Sequence, residues 1–301
     1  MDASERLRAR EVRMSELPFV DGAAIRSLVP FADAVAAIEE AFASPSVPLE
    51  RTVFEVAGAD VLVMPAGFED VAGVKIVAVQ PSNRARSEPV IQGTYVLIDA
   101  IRGRPIATLD GAALTALRTP AVSALVTRRL ARSGARTVAV IGAGPQGVAH
   151  RDAMRWALPM AERVVLVARG DTMPDDIDVA CTCTSSATPV LARTSLAPGA
   201  HCNVIGSYRP DRREVAASLI AASIVVVDDR FAASAEAGDL ILAVEEGRWT
   251  WDQVAGDLHD VVAGRVERRG DDELTLFKSV GLALQDLAVA RLVARRAGLH
   301  F

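Results

Sequence analysis

The amino-acid sequence predicts an α/β protein in two parts, and three observations lead to this prediction. The first 111 residues combine a helical pattern with several strand patterns, as in an α+β domain. From Arg136 onward, short runs of β-branched residues alternate with helical stretches, which is typical of a parallel sheet covered by helices. The run VIGAGPQG adds a complete G-x-G-x-x-G motif between the first of these strands and its helix.

The first part begins with apolar residues at helical spacing over residues 30–44. The segments TVFEVA and DVLVMPA then predict two strands, and GVKIVAVQP predicts a buried one. Residues 93–111 predict two strands joined by a turn at Arg102 and Gly103. A helix is predicted over residues 112–131, and we expect Pro120 to break or kink it.

In the second part, strands are predicted at VVLVA, DVACTCT, HCNVIGS and IVVVDD, and an amphipathic helix is predicted over residues 279–298. About ten residues separate VVLVA from the next strand. A parallel crossover needs about a dozen or more residues and usually contains a helix. One helix and one strand of a standard dinucleotide-binding domain are therefore predicted to be missing, which leaves a shallow adenine side.

The glycine motif predicts a dinucleotide site. Its first glycine allows a tight turn, its second lets the backbone approach a pyrophosphate, and its third permits close helix packing, while the helix N-terminus attracts the phosphate charge. The alternative is a glycine turn that binds nothing. The predicted cofactor-binding residues of this loop are Gly142, Ala143, Gly144, Pro145 and Gln146.

The choice between NAD and NADP is normally made at the end of the second strand, which here continues into ARGDT. An arginine accommodates the extra phosphate of NADP, whereas an acid binds the ribose of NAD. Arg169 favours NADP and Asp171 would serve NAD, so NADP is the preferred expectation. A solvated loop is the alternative for both residues.

Three basic residues lie in apolar surroundings. Lys75 stands inside GVKIVAV, Arg118 inside ALTALRTPA, and Arg51 follows a proline segment just before a strand. Burial of an ammonium group is costly unless an anion pairs with it. The three are predicted to form a clamp for a substrate carboxylate, with the arginines supplying bidentate geometry. Structural ion pairs are the alternative.

At this point several motifs in one order resemble the ornithine cyclodeaminase/mu-crystallin family, from about residue 17 to 298: GVKIV, LTALRT, VIGAGPQG, NVIGSYRPDRREV and TLFKSVGLALQDLAVARL. The resemblance implies a Rossmann-type dinucleotide-binding domain, residues 119–279, and an α+β substrate-binding and dimerisation domain, residues 1–118 and 280–301. The short segment after VVLVA departs from the family, so this Rossmann-type domain is predicted to be shortened. The resemblance also implies a homodimer, and it assigns the substrate carboxylate to Arg51, Lys75 and Arg118. Its motifs add Thr119, Ser207, Lys278 and Ser279 to the predicted cofactor contacts.

Cyclodeaminases of this family have an aspartate after the N-x-x-G strand, whereas this chain has Tyr208 there. A tyrosine with an ordinary pKa near 10 is a poor base for ring closure. The S-x-R-P-D-x-R-E pattern resembles the ketimine reductase branch, so NAD(P)H-dependent reduction of a cyclic ketimine carboxylate is the preferred hypothesis, with Tyr208 as a candidate proton donor. The alternatives are an ornithine cyclodeaminase, an amino acid dehydrogenase and a non-catalytic ligand-binding protein.

The composition of the chain argues against several classes of binding partner. The chain has 33 Lys and Arg against 38 Asp and Glu, a formal charge of -5, so neither nucleic acid nor a membrane surface is expected as a partner. Three cysteines form no disulfide framework, and no metal-ligand spacing occurs. The charged segment MDASERLRAREVRM predicts neither a signal peptide nor an anchor, and no apolar run reaches the ~18 residues of a membrane span. A cytoplasmic location is expected.

Overall fold

A computed structural model describes residues 17–44, 49–299 and 301. The segment at the N-terminus for which neither signal peptide nor anchor was predicted lies outside these residues. The described residues form two sheets, the first mainly antiparallel and the second parallel. The elements of the first part are β1 (Phe19–Val20), α1 (Gly22–Leu28), α2 (Phe31–Ala43), β2 (Thr52–Val56), β3 (Ala59–Phe68), β4 (Val71–Val79), β5 (Ile91–Asp99), β6 (Arg104–Asp110) and α3 (Gly111–Leu130).

The first sheet has the order β1-β6-β5-β4-β3-β2. Side chains alternate between its two faces, so the residues paired across the strands with Lys75, namely Met64 and Tyr95, share one face with it. All three are buried, whereas Ile76 on the opposite face is exposed. The strands and the turn predicted from the sequence in this part are confirmed, while the two-residue β1 was not predicted.

Helix α3 connects the two sheets. Asp110 caps its first turn by accepting hydrogen bonds from the backbone N–H groups of Ala112 and Ala113. Of the break or kink expected at Pro120, the break is wrong, because the helix continues through Pro120 to Leu130. Residues 118–127 are buried, so packing on both sides outweighs the hydrogen bond that Pro120 cannot donate. The predicted domain boundary between residues 118 and 119 lies inside this helix and stays a prediction.

The second sheet is parallel, in the order β12-β11-β13-β10-β9-β7-β8. Its strands β12 and β13 were not predicted as strands. The elements of this part are β7 (Thr137–Ile141), α4 (Pro145–Ala157), β8 (Arg163–Val167), β9 (Ile177–Thr182), β10 (Leu196–Val204), α5 (Ala217–Ala221), β11 (Ser223–Val227), α6 (Arg230–Glu236), α7 (Gly238–Glu245), β12 (Val254–Gly256), α8 (Leu258–Val262), β13 (Leu274–Lys278) and α9 (Ala283–Arg296).

The shortened dinucleotide-binding segment is confirmed. β8 lies at the edge of the sheet, and residues 168–176, which contain no helix, cross β7 directly to β9. The strand that would lie beyond β8 and its helix are therefore missing from this fold, a shortened Rossmann-type arrangement.

The last helix, α9, returns to the first sheet. It packs against β3 and β4 and against helices α2 and α3. It begins at Ala283 rather than at Ser279, because residues 279–281 are held by the side chain of Asp228. The return of α9 brings residues near the C-terminus beside Lys75 and Arg118.

Candidate active site

The glycine motif forms a tight loop between β7 and α4. Gly142 has a φ of 112°, in the left-handed region that favours glycine. A Cβ atom on Gly147 would lie 1.7 Å from the carbonyl oxygen of Gly142, so this position requires glycine. Gly144 is the N-cap and has no side-chain cap, and a Cβ on it would meet no protein atom within 4 Å. The N–H groups at the start of α4 and the open space at Gly144 fit a pyrophosphate.

Two further predicted cofactor residues lie where α3 meets α4. The side-chain oxygens Thr119 Oγ1 and Gln146 Oε1 are buried and accept no hydrogen bond from the described residues. Gln146 Nε2 donates to the carbonyl oxygen of Thr115, which orients the side chain. Buried polar atoms without partners are uncommon in proteins, so these two oxygens suit a bound ligand.

His150 lies at the same contact between helices and is fully buried. Its Nδ1 donates to the carbonyl oxygen of Gln146 at 2.8 Å, and its Nε2 accepts from Ser123 Oγ at 3.0 Å. Burial lowers the pKa of His150 to about 4, so the ring is neutral at pH 7. These contacts make His150 a link between α3 and α4.

At the end of β8, Arg169 is exposed. Asp171 folds back, and its Oδ2 accepts the backbone N–H of Ala168 at 2.8 Å. The carboxylate that would bind the ribose of NAD is thus partly used by its own turn, while the guanidinium lies at the surface.

Apart from the glycine loop, the site contains a buried charged cluster, formed by Lys75, Arg118 and Asp286. Lys75 Nζ lies 2.7 Å from Asp286 Oδ2 and 3.3 Å from Thr115 Oγ1. Arg118 Nε lies 3.4 Å from Asp286 Oδ1, without hydrogen-bond geometry, while Arg118 Nη1 donates to Gln285 Oε1 at 2.8 Å. Lys75 and Arg118 are buried and Asp286 is fully buried. Two cations thus share one carboxylate, which leaves one positive charge in excess.

Burial controls the charge state of Lys75. It lowers the pKa of the ammonium group to about 8, although the carboxylate of Asp286 acts in the opposite direction. Arg118 and Arg51 also lower this pKa by repulsion. Lys75 is therefore mainly protonated at pH 7. The cluster then carries a buried excess positive charge, which a further anion would stabilise.

Arg51, which precedes β2 of the first sheet, forms an ion pair with Glu236 at the end of α6 of the second sheet. Its Nε donates to Glu236 Oε1 at 2.6 Å, its Nη2 donates to Glu236 Oε2, and Nη2 also lies 3.2 Å from the carbonyl oxygen of Val280. Burial lowers the pKa of Arg51 to about 10. The third member of the predicted clamp is thus already bound by a protein carboxylate.

Tyr208 also contacts the first sheet. Its hydroxyl donates to Asp60 Oδ2 at 3.1 Å, and its ring packs beside Leu62, Met64 and Val77. Burial and the nearby Asp60 raise the pKa of Tyr208 to about 12. These contacts hold the phenol in place and make it a weaker acid than a free tyrosine.

The remaining predicted residues lie at the C-terminal edge of the second sheet. Lys278 is fully buried, and its Nζ lies 2.6 Å from the carbonyl oxygen of Ser207 and 2.8 Å from Asp239 Oδ2. Ser279 Oγ donates to Asp228 Oδ2 at 2.8 Å, and the N–H groups of residues 280 and 281 donate to the same oxygen. Asp228 therefore shapes the loop that precedes α9.

Glu236 and Asp239 flank the start of α7, but neither caps this helix. Ala237 is the N-cap of α7, with no side-chain cap. Asp239 instead accepts the backbone N–H groups of Glu214 and Val215 and pairs with Lys278, whereas Glu236 binds Arg51. Both carboxylates thus have partners that are distant in the sequence.

A cavity of about 450 Å³ lies between the sheets and is lined by both Arg51 and Glu236. Much of the remaining wall is apolar and includes Phe42, Met64 and Phe231. A cleft with a few convergent charged groups in an apolar wall is typical of a small-molecule site. Within the described residues, no cluster of three His, Cys, Asp or Glu side chains is arranged to hold a metal ion.

Sequence reasoning missed Asp286, Gln285 and Asp60. Asp286 carried one signal, since it is a lone acid on the apolar face of the last helix. A lone buried acid needs a buried cation, and Lys75 was the unexplained cation in the chain. Gln285 and Asp60 had no comparable signal.

These features together define a two-sheet α/β protein with a dinucleotide-type glycine loop and a cationic small-molecule cleft. The chain belongs to the ornithine cyclodeaminase/mu-crystallin family, whose model matches residues 19–172 and 153–298. It is similar to a Δ1-pyrroline-2-carboxylate/Δ1-piperideine-2-carboxylate reductase of Azospirillum brasilense, with 35% identity in an alignment that covers 95% of this chain and 99% of the relative.

Solved structures agree with this assignment. The Δ1-pyrroline-2-carboxylate reductase of Thermococcus litoralis, in complex with NADH and L-proline, has a TM-score of 0.86 at 27% identity and covers 94% of this chain and 99% of its own. An archaeal alanine dehydrogenase dimer with bound NAD has a TM-score of 0.85 at 28% identity, over 93% of this chain and 96% of its own. No helix in the described ranges has the length and apolar character needed to span a bilayer.

Proposed function

We propose that the chain reduces a small cyclic ketimine carboxylate, such as Δ1-pyrroline-2-carboxylate or its six-membered homologue, to the cyclic amino acid with NADPH or NADH. It is an NAD(P)-dependent oxidoreductase of its family. The observation that carries the proposal is the buried cluster of Lys75, Arg118 and Asp286, in which two cations share one carboxylate. Lys75 and the glycine-loop residue Gln146 both bind Thr115, so the cluster lies close to the glycine loop. Named reductases among its relatives support the same reaction.

The cluster suits a carboxylate. Lys75 and Arg118 have only one acid between them, and Arg118 Nε lacks a hydrogen-bond acceptor. A substrate carboxylate would supply the missing negative charge where water is excluded, and charge-assisted hydrogen bonds are strong in such a setting. Fixing the carboxylate also fixes the neighbouring imine carbon, which is catalysis by positioning.

The reaction asks little acid–base chemistry of the protein. A cyclic imine can arrive already protonated on nitrogen, so no side chain has to donate a proton before reduction. Tyr208 is held by Asp60 and its pKa is raised, which favours a positional contact over proton donation. Ornithine cyclisation needs a positioned base, and this weakens the cyclodeaminase alternative.

A dinucleotide fits the residues of the second sheet. Gly142, Gly144 and Gly147 would admit the pyrophosphate, and Thr119 and Gln146 carry free buried oxygens beside it. When bound, its nicotinamide supplies the hydride equivalent for the C=N carbon. Arg169 favours NADP, because it is exposed whereas Asp171 is engaged with its own turn. Ser207, Lys278 and Ser279 remain proposed contacts through the backbone around them.

The free face of the first sheet suits a homodimer. Phe54 and Ile76 are 47% and 48% exposed, and Phe19 is 62% exposed. The pairing of Phe54 with Val61, of Ile76 with Val63 and of Phe19 with Thr108 puts all of them on the face opposite Lys75. A contiguous exposed apolar face usually marks an interface. A second copy of the chain is its proposed partner, as in the dimeric alanine dehydrogenase neighbour.

The test mixes purified protein with Δ1-pyrroline-2-carboxylate and either NADPH or NADH, and follows the loss of reduced-nicotinamide absorbance. We expect turnover with at least one cofactor. Activity on ornithine with ammonia release and no net cofactor consumption would support the cyclodeaminase instead. Failure of folded protein to bind either cofactor would support a ligand-binding role.

A further inference from the structure

One acid in the cavity wall has no role in the mechanism above. Glu236 lines the cavity together with Arg51, and its side chain is 19% exposed. It comes from α6 on the second sheet, whereas Arg51 precedes β2 on the first. The ion pair therefore crosses the cleft in which substrate and nicotinamide would meet.

We propose that Glu236 binds the cationic nitrogen of the substrate and thereby selects iminium carboxylates over 2-oxo acids. This inference rests on the proposed reductase function and deepens it. The substrate is a zwitterion, with a carboxylate and a protonated nitrogen on adjacent atoms. The cleft offers complementary charges in Arg51 and Glu236, which line it, and the guanidinium of Arg118 packs against Gly281 of the same wall.

The other acids in or near the cleft are engaged by the protein, except Glu50, which is exposed to solvent. Asp228 Oδ2 accepts three hydrogen bonds from residues 279–281, and its Oδ1 accepts the N–H of Asp229. Asp229 caps α6 by accepting the N–H of Ala232. Asp286 is fully buried between Lys75 and Arg118. Glu236 has its single ion pair with Arg51, whose own role is to bind a carboxylate.

The pair can therefore exchange partners. When a zwitterion enters, its carboxylate binds Arg51 together with Lys75 and Arg118. Its N–H binds the Glu236 carboxylate. Both protein charges remain paired, so neither is left buried without a partner. A 2-oxo acid has a carbonyl oxygen in place of the N–H. This oxygen cannot donate a hydrogen bond to the Glu236 carboxylate, which is left without a partner.

Glu236 takes no part in the bond changes of the reaction. The iminium carbon gains a hydride equivalent from NADPH, the C=N π bond breaks and its electron pair moves to nitrogen. The resulting amine takes a proton from solvent, and NADP⁺ is released. The carboxylate acts by charge and hydrogen bonding, so its loss should raise KM more than it lowers kcat.

The probes are two ligands that share a five-membered ring and a carboxylate, L-proline and tetrahydrofuran-2-carboxylate. Only proline carries a cationic nitrogen. Calorimetric titration in the presence of NADP⁺ gives both Kd values without needing turnover. We expect wild-type protein to prefer proline about tenfold to hundredfold, the range of a charge-assisted hydrogen bond, and E236Q to lose most of this preference.

Two variants complete the design. E246Q removes an acid that pairs with Arg213 away from the cavity, and it should keep the full preference. E236D keeps the charge on a shorter side chain and should retain part of it. An unchanged preference in E236Q would overturn the inference. Equal tightening of both ligands would also overturn it, because Glu236 would then only compete with the substrate for Arg51.

The function and the inference fail separately. If wild-type protein reduces the imine but E236Q keeps the preference for proline, only the role of Glu236 falls. If wild-type protein shows the preference but does not turn over the imine, the reductase function falls and the assignment of Glu236 to a cationic nitrogen stands.

Discussion

Replacement of Lys75 by methionine tests the carboxylate site in depth. Methionine fills similar space but brings no charge, so the variant removes the ammonium group that lies 2.7 Å from Asp286. Loss of one partner from a buried, hydrogen-bonded charge pair costs 2–5 kcal/mol in binding. At about 1.4 kcal/mol per tenfold, a central value of about 3 kcal/mol raises the KM for the imine about a hundredfold. NADPH binding should not change.

The same change should destabilise the fold. Asp286 keeps only Arg118, at 3.4 Å, and leaving a buried charge poorly paired costs about 3 kcal/mol. The double variant K75M/D286N removes both charges and should recover most of the unfolding free energy. Arg118 then again leaves one positive charge in excess, so substrate affinity should recover in part, but it should stay below that of the wild type because the ammonium group is still absent.

The assays are steady-state kinetics with the imine, calorimetric titration of NADPH and urea unfolding of the three proteins. If the cluster binds the substrate, the double variant should recover its unfolding free energy without recovering its full affinity for the imine. A K75M protein that is folded and has an unchanged KM would refute the reasoning. Full recovery of KM in the double variant would also refute it, since the loss would then come from misfolding of the site.

Three further predictions concern pH, the glycine loop and the phenol. Because only protonated Lys75 attracts a carboxylate and its pKa is lowered to about 8, binding of tetrahydrofuran-2-carboxylate should weaken up to about tenfold for each pH unit above 8; titrations from pH 7 to 9.5 that show a constant Kd would contradict this. Gly144→Ala should leave thermal stability unchanged, since its Cβ meets no protein atom within 4 Å, yet weaken NADPH binding at least tenfold by occupying pyrophosphate space, whereas Gly147→Ala should destabilise the protein. Tyr208→Phe should keep kcat within about threefold because Asp60 holds the phenol and raises its pKa, and a hundredfold loss would instead make Tyr208 the proton donor.

The sequence correctly predicted those features that depend only on residues within one short segment. The continuous apolar run in GVKIVAV predicts the buried strand β4, and burial of the lysine inside it requires an anion. The short segment after β8 predicts the missing helix and strand, because a crossover of that length has no room for them. The glycine motif similarly requires its own turn, with Gly142 at positive φ.

Features that depend on distant segments were not predictable. Pro120 was expected to break α3, but packing between the two sheets keeps the helix continuous. The anion for Lys75 comes from Asp286, which is 211 residues away, and the partner of Arg51 comes from Glu236, 185 residues away. Only the fold brings these residues together, so sequence reasoning found the cations of the site and missed the arrangement of its acids.

The most direct test of the proposed reaction follows an isotope label into the product. Wild-type protein is incubated with Δ1-pyrroline-2-carboxylate and NADPH or NADH carrying deuterium at the transferable C4 position, and the product is separated on a chiral column and weighed by mass spectrometry. The account predicts a single enantiomer of proline with one deuterium on the α-carbon, formed in equal amount to the oxidised cofactor. Proline without deuterium, or no proline from folded and cofactor-bound protein, would contradict it.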